Sequence, residues 1–452
     1  MMRRRPKSFL PVMLILMFIP LVLAGCNSAI LEQTADAKSA GRDKKQQVTT
    51  LHFWFSIGGE FQRDFQKYVI EEFEKTHPGI KVKLTIAEDA DKTHISDKLL
   101  AAIAGKSSPD VAVIDRFTIG SMAAKGAVED ISDLVRRDGI QAADYDPGAW
   151  EEVRYQNKVY GLPFLADTRA MYYNKTLMRN AGLNPERPPG TIEELDDMVE
   201  KLFIKNRKGK YEQVGFVPWM GQGSLFTHAL NFGARFAGDN GEFDLSEPQT
   251  AQALKWMTSY AKKYDIANLS EFSDTTAQIG VSPFWTGKIG FVFEGNWILR
   301  DLEKYRPEFE WGVAPMPSVH DSPQTSWIGG NAMIIPKGAV QRELAWAFIK
   351  YAAQKDGNFR WAEHAGGTGL MTSMPAVNER LGLSQDHNMR VFLDLMSTSQ
   401  IRPVSPAASF YWAETYRIRD LAINGKGAPA ALLQEAKDNI GAELAKIKRQ
   451  EK

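Results

Sequence analysis

The chain has 452 residues, and its 55 Lys and Arg balance 55 Asp and Glu, so the formal net charge is zero. That balance excludes the strongly basic surface of a nucleic-acid binder, and a single cysteine excludes an internal disulfide framework or a cysteine-based zinc cluster. Aromatic residues are plentiful instead, at 11% with eleven Trp, a supply suited to a polar but uncharged ligand.

Arg3, Arg4, Arg5 and Lys7 precede an uncharged run from Phe9 to Ala24. This layout predicts an export signal over residues 1–25, and the run is short for a membrane span with stop-transfer flanks. Leu23-Ala24-Gly25-Cys26 resembles the bacterial lipobox, in which the cysteine is lipid-modified and becomes the mature N-terminus. Cys26 is the only cysteine, and its position points to lipid attachment. Without the signal, 51 basic residues face 55 acidic ones, a net charge near −4. Residues 26–48 are rich in Ser, Ala, Gln, Asp and Lys and read as a disordered tether. About 400 residues remain, too many for one compact core, which predicts two lobes.

Thr50-Leu-His-Phe-Trp-Phe55 reads as a strand ending at Gly58-Gly59. Phe61, Phe65, Val69 and Phe73 recur every four residues, the face of a helix that His77-Pro78-Gly79 stops. Lys81 to Ile86 alternates as a second strand, Asp91 to Ala104 reads as a helix, and Val111 to Ile114 as a buried strand leading into Asp115-Arg116. This order is the pattern of a doubly wound α/β lobe, whose ligands bind beyond the carboxyl ends of the strands. Glu60, Asp115 and Arg116 occupy that edge.

Gly161 and Pro163 break the chain before Ala170 to Tyr173, a short buried strand. Between them stand Asp167 and Arg169, which face each other, a cleft or a ligand, unless they form a solvated turn. Thr191 to Lys205 opens with a capping box and predicts a helix, as do Ser224 to Phe232 and Thr250 to Tyr264. Asp239 to Glu242 reads as a hairpin turn rather than a calcium loop, because the ligand spacing is incomplete. Gly290 to Phe293 and Ala332 to Ile335 are predicted strands. Arg342 to Ala353 and Ala430 to Lys448 are predicted helices, and Pro403 to Trp412 a loop carrying Phe410, Tyr411 and Trp412.

No catalytic motif emerges. The seven His lack metal-ligand spacing, no Gly-x-Ser-x-Gly elbow occurs, and Leu100 replaces the first glycine that a phosphate loop ending at Gly105-Lys106-Ser107 would need. Gly366-Gly367-Thr-Gly369 lacks the dinucleotide fingerprint. A glycosidase pair needs only two carboxyls about 5 to 9 Å apart, and no motif points to one.

The order of Phe53-Trp54, Pro109 to Phe117, Gly161 to Lys175, Gly287 to Gly290, Gly295 to Trp297, Trp311 to Pro317, Gly329-Gly330 and Ser409 to Trp412 resembles the extracellular solute-binding lipoproteins of ABC sugar importers, family 1, the branch that includes maltose-binding protein. The resemblance implies an α/β, two-lobed periplasmic-binding-protein fold of class II type, each lobe a mixed sheet flanked by helices, with a cleft and hinge between. It places one lobe at 49–164 and 328–372 and the other at 165–327 and 373–452. It implies no catalysis and no cofactor or metal. The implied partners are a saccharide, an oligosaccharide by expectation, ABC permease subunits, and the membrane through a lipid anchor on the extracellular face of a monomer. Asp115 and Arg116 match an Asp-Arg-Phe that touches sugar hydroxyls, Asp167 matches an acidic residue past the crossover, and Trp297 and Trp412, or its neighbour Tyr411, match aromatic platforms. Trp54, Glu60, Asn296 and Trp327 complete the candidate set. Gly58 and Gly59 stand in place of an Asp-Lys pair, with Glu60 beside them, and Ala112 replaces an aromatic. A sugar ring stacks its C–H face on an indole while its hydroxyls take Asp, Asn, Glu and Arg partners, so such a mixed cleft suits neutral saccharides. Rival readings on the same residues are a binding protein for another solute class, a sensor, and a secreted glycoside-acting enzyme.

Overall fold

The computed structural model describes residues 48–87, 95–237, 243–277, 282–320, 322–365 and 369–450. The export signal, Cys26, the tether up to residue 47, the start of the helix expected from Asp91, the turn at residues 239–242 and the glycines at 366 and 367 lie outside them.

Five strands form the first sheet, in the order Ile80–Ile86, Thr49–Phe55, Val111–Asp115, Asn331–Ile334, Leu162–Pro163. The first three are parallel, and Asn331–Ile334 runs antiparallel to both its neighbours. Position in the sheet explains composition. Val111 to Ile114 is central and apolar throughout, with no exposed surface, whereas the edge strand Ile80–Ile86 exposes Lys81 and Lys83. The four-residue spacing of aromatic and apolar residues does give one helical run, Gly59–Phe65, then a π turn at Gln66–Ile70, then Glu71–Thr76. Phe65, Val69 and Phe73 are fully buried on the sheet. Phe65 lies 4.8 Å from Phe55 and 5.2 Å from Trp361, ring centre to ring centre.

The second sheet has Arg169–Asn174 at its centre, flanked antiparallel by Phe291–Gly295 and Trp311–Ala314. All six residues of the central strand are buried, as the apolar run predicts. A third apolar cluster joins the helices Leu225–Asn231, Pro248–Lys263, Ala408–Ile423 and Pro429–Gln450 through Phe226, Met257, Ile418 and Leu433.

The chain passes between the two sheets along a few short pairings. Leu165–Ala166 pairs with Met371–Thr372, Asp167 bridges Gly329, and Trp327–Ile328 pairs with Gln400–Ile401. Gly330 holds φ +129 there, where a Cβ would strike the Leu165 carbonyl and Arg116.

Two expectations need correction. The helix predicted to run to Lys205 stops at Glu200, because Ile204–Lys205 turns back onto Tyr211–Gln213 through Gly209 at φ +76. Its start is as predicted: Thr191 Oγ1 accepts from Glu194 N at 3.2 Å, although the Glu194 carboxylate reaches Gly190 N rather than the cap's own N–H. Phe410, Tyr411 and Trp412 belong to the helix Ala408–Ile423 and not to a loop. Successive helical residues point about 100° apart, so Phe410 is exposed, Tyr411 buried and Trp412 intermediate.

Candidate functional site

The site begins where Val111–Asp115 ends. Asp115 caps the following turn, its Oδ1 accepting from Phe117 N at 2.9 Å. Its carboxylate takes two bonds from Arg402, Nη2 to Oδ1 at 2.7 Å and Nη1 to Oδ2 at 3.0 Å. Arg402 Nε donates to Glu152 Oε1 at 2.9 Å, and Arg116 Nε donates to Glu152 Oε2 at 3.0 Å. Charges leave water only when paired, and Arg116, Glu152 and Arg402 are each at most 2% exposed at the side chain, with Asp115 the open end at 43%. Burial raises the Asp115 carboxyl, but the Arg402 guanidinium and the Phe117 N–H outweigh it and hold the group below its ordinary value.

The second charged pair comes from the crossover. Arg169 Nη1 donates to Asp167 Oδ1, and Arg169 Nε donates to Gln222 Oε1 at 3.3 Å. The Arg169 guanidinium lies over Trp327, 3.2 Å from the ring centre, and 5.3 Å from that of Trp297. Burial lowers the Arg169 pKa, with Asp167 opposing it. Asp167 Oδ2 takes no hydrogen bond from the described residues.

Two adjoining cavities open on these groups. One, of about 160 Å³, is largely apolar, lined by Ile57, Phe61, Leu165, Leu370 and Met371 among others. The other, of about 280 Å³, is lined by Asp115, Arg169, Gln222, Arg402 and Ser409 together with Phe117, Trp327, Trp412 and Tyr416. Asp167, Trp297 and Asn331 line both. Trp297 can stand there because its neighbour is glycine: a Cβ on Gly295 would fall inside the indole ring. The Asn331 side-chain amide makes no hydrogen bond to the described residues, so it is free where the cavities meet.

Of the residues expected from sequence, Asp115, Asp167, Asn296, Trp297, Trp327 and Trp412 line this cleft. Asn296 is 2% exposed with both amide ends engaged, Nδ2 donating to Gly369 O at 3.0 Å and Oδ1 accepting from Thr168 N at 3.4 Å, so it shapes the wall. Trp327 is 3% exposed, donates Nε1 to Thr227 Oγ1 at 3.2 Å and carries the Arg169 guanidinium on its ring.

Four expected residues lie elsewhere. Arg116 has no exposed surface and spends its guanidinium on Glu152 and on the carbonyls of Leu165 and Gly329, tying the crossover strands together. Tyr411 also has none and stacks on Phe243, ring centres 3.6 Å apart. Trp54 packs half-buried against the first core, and Glu60 pairs with Lys304 and Arg300. Neither lines either of the two cavities described above. Sequence reasoning missed Asn331, Gln222 and Arg402. Asn331 directly follows the Gly329-Gly330 pair that was singled out, and Arg402 directly precedes Pro403.

The family profile described as bacterial extracellular solute-binding protein matches residues 58–359. The sn-glycerol-3-phosphate-binding periplasmic protein UgpB of Escherichia coli (strain K12) is 25% identical over 358 residues, 74% of this chain and 78% of that one. Among solved structures, CpMnBP1 with mannobiose bound is 26% identical with a TM-score of 0.78, and CpMnBP1 with mannotriose bound is 28% identical at 0.77; each alignment covers 87% of this chain and 100% of the other. The architecture is thus the two-lobed α/β one of these binding proteins.

Proposed function

The chain belongs to the bacterial extracellular solute-binding protein family, and from that premise we propose that it captures a neutral oligosaccharide in the cleft around Asp167 and Trp297 and delivers it to an ABC permease. One observation carries the reading. Each charged side chain lining the larger cavity already has an opposite partner there, Asp115 with Arg402 and Asp167 with Arg169. A phosphate ester would bring its own charge into a site with no uncompensated cation among the described residues. A sugar asks for something else: flat apolar surface, which Trp297 and Trp412 offer, and free polar edges, which Asp167 Oδ2 and the Asn331 amide offer. The relatives with mannobiose and mannotriose bound support this choice over the glycerol phosphate of UgpB.

The apolar cores support a division into two lobes close to the expected bounds, with Leu165, Met374 and Val377 packed in the first core and Met371 in the second. The first core draws on residues 51–165 and 332–377, the second on 166–316 and 371–396. This supports lobes at 49–164 with 328–372 and at 165–327 with 373–452, hinged where the chain crosses. At the other end, removal of residues 1–25 would leave a lipid on Cys26 and residues 27–48 as a tether to the outer face of the cell membrane.

The reading is one of capture without chemistry. Mannotriose added to the protein should raise its melting temperature and be recovered intact. Mannose accumulating with time would overturn the reading in favour of an enzyme. Changing Cys26 to Ser should abolish lipid labelling, and persistent labelling would refute the anchor.

A further inference from the structure

Glu60 pointed, in sequence, toward the ligand. In the structure it points to another part of the protein. Glu60 and Asp64 lie one turn apart on Gly59–Phe65, a helix whose Phe65 is buried in the first core. Arg300 and Lys304 lie one turn apart on Ile298–Tyr305, a helix whose Ile298, Leu299 and Leu302 are buried in the second. The acidic ridge meets the basic one: Arg300 Nη2 donates to Asp64 Oδ2 at 2.9 Å and to Glu60 Oε2 at 3.3 Å, and Lys304 Nζ donates to Glu60 Oε1 at 2.7 Å. All three bonds run from side chain to side chain.

Arg300 does more than pair. Its side chain is only 12% exposed, and its guanidinium lies 4.2 Å from the centre of the Phe61 ring. Phe61 lines the smaller cavity together with Trp297, the residue that starts the Arg300 helix. The same helix pair therefore carries both the ionic contact and two aromatic walls of the cavity.

We propose that Arg300 is a positioning residue for binding: it clasps the helix of Glu60 and Asp64 across the cleft and sets Phe61 in the cavity wall with Trp297, without touching the ligand. The clasp favours the binding-competent arrangement before ligand arrives, so losing it weakens apparent affinity by the drop in that population. Because the proposed ligand is neutral, salt acts on its affinity through charges of the protein, and it acts most on the clasp, whose Glu60–Lys304 pair is exposed on both sides, whereas Arg402, which joins the lobes through Asp115 and Glu152, is 2% exposed.

The affinity arm rests on the saccharide reading and uses mannotriose as probe, followed by tryptophan emission at about 50 mM and about 500 mM NaCl. Wild type should bind several-fold more weakly at the higher salt. Arg300→Gln should bind about fivefold more weakly at low salt and lose most of the salt dependence, while Arg300→Lys recovers most of the affinity. A merely structural role would lower the melting temperature and leave the salt dependence as it is in wild type. Arg300→Gln binding like wild type at low salt, or keeping its salt dependence, would overturn the proposal. Small-angle scattering on the unliganded proteins needs no sugar, so it reads the clasp even where mannotriose does not bind. Arg300→Gln should show the larger radius of gyration, and equal radii would overturn the clasp while leaving the saccharide reading to its own test.

Discussion

Asp115 and Arg402, 287 residues apart in the chain, meet at the mouth of the larger cavity through two bonds of 2.7 and 3.0 Å. The pair makes the cleft polar without making it charged. It also ends a buried series, Arg116–Glu152–Arg402–Asp115, that ties the end of the first sheet's third strand to the crossover.

Breaking that series from its centre should cost stability. Arg402→Met removes the group that Glu152, 1% exposed, shares with Asp115. Arg116 remains on Glu152 Oε2 at 3.0 Å, so the loss stays below the roughly 3 kcal/mol of a wholly uncompensated buried charge, at about 2 kcal/mol. Denaturant unfolding should show that loss for Arg402→Met and a much smaller one for Asp115→Asn, whose side chain is 43% exposed.

Trp297→Ala should weaken saccharide binding at least about tenfold, or 1.4 kcal/mol, with little loss of fold, since Trp297 is only partly buried. Gly295→Ala should reproduce much of that loss by another route, as the new Cβ displaces the indole from the wall. Affinity by emission titration checks both, and wild-type affinity in Gly295→Ala would refute the steric account.

Asp167 and Trp297 were legible because each stands in a short local pattern, a charge between a breaker and a buried strand, or an aromatic after a glycine. Arg116 and Tyr411 were misplaced for a reason that spacing alone does not resolve. Asp115 and Arg116 are neighbours at a strand end, and one turn of 3-10 helix sends the second inward. Tyr411 and Trp412 are neighbours on a helix, and about 100° of rotation separates core from cleft. The sheet strands were readable from their composition. Arg402 and Gln222 were not, since each gains its meaning only from partners brought together by the fold, Asp115 and Glu152 for one and Arg169 for the other.

The buried Tyr411 hydroxyl finds no hydrogen-bond partner among the described residues, and burying such a group unpaired is unfavourable. Tyr411→Phe should therefore leave saccharide affinity unchanged and raise stability by about 1 kcal/mol. A loss of affinity would return Tyr411 to the site.

Glu294 is buried on the strand beside Arg169–Asn174, and burial pushes its carboxyl from 4.5 up to about 7, with Ser282 and Arg169 pulling it back only in part. The folded protein thus holds this proton more tightly than the unfolded chain does. The stability it contributes is full below pH 4.5 and is lost as pH rises through 7, a change of about 3 kcal/mol. Melting curves of Glu294→Gln should lack that component, so the variant gains on wild type from pH 5 to pH 8. Parallel curves would contradict the burial account.

The central claim is that paired charges and exposed indole faces select a neutral saccharide. Calorimetric titration of the protein with mannotriose and, separately, with sn-glycerol 3-phosphate tests it most directly. The account predicts saturable one-to-one binding of mannotriose and no heat of binding from the phosphate at the same concentrations. Tight binding of sn-glycerol 3-phosphate with none of mannotriose would contradict it.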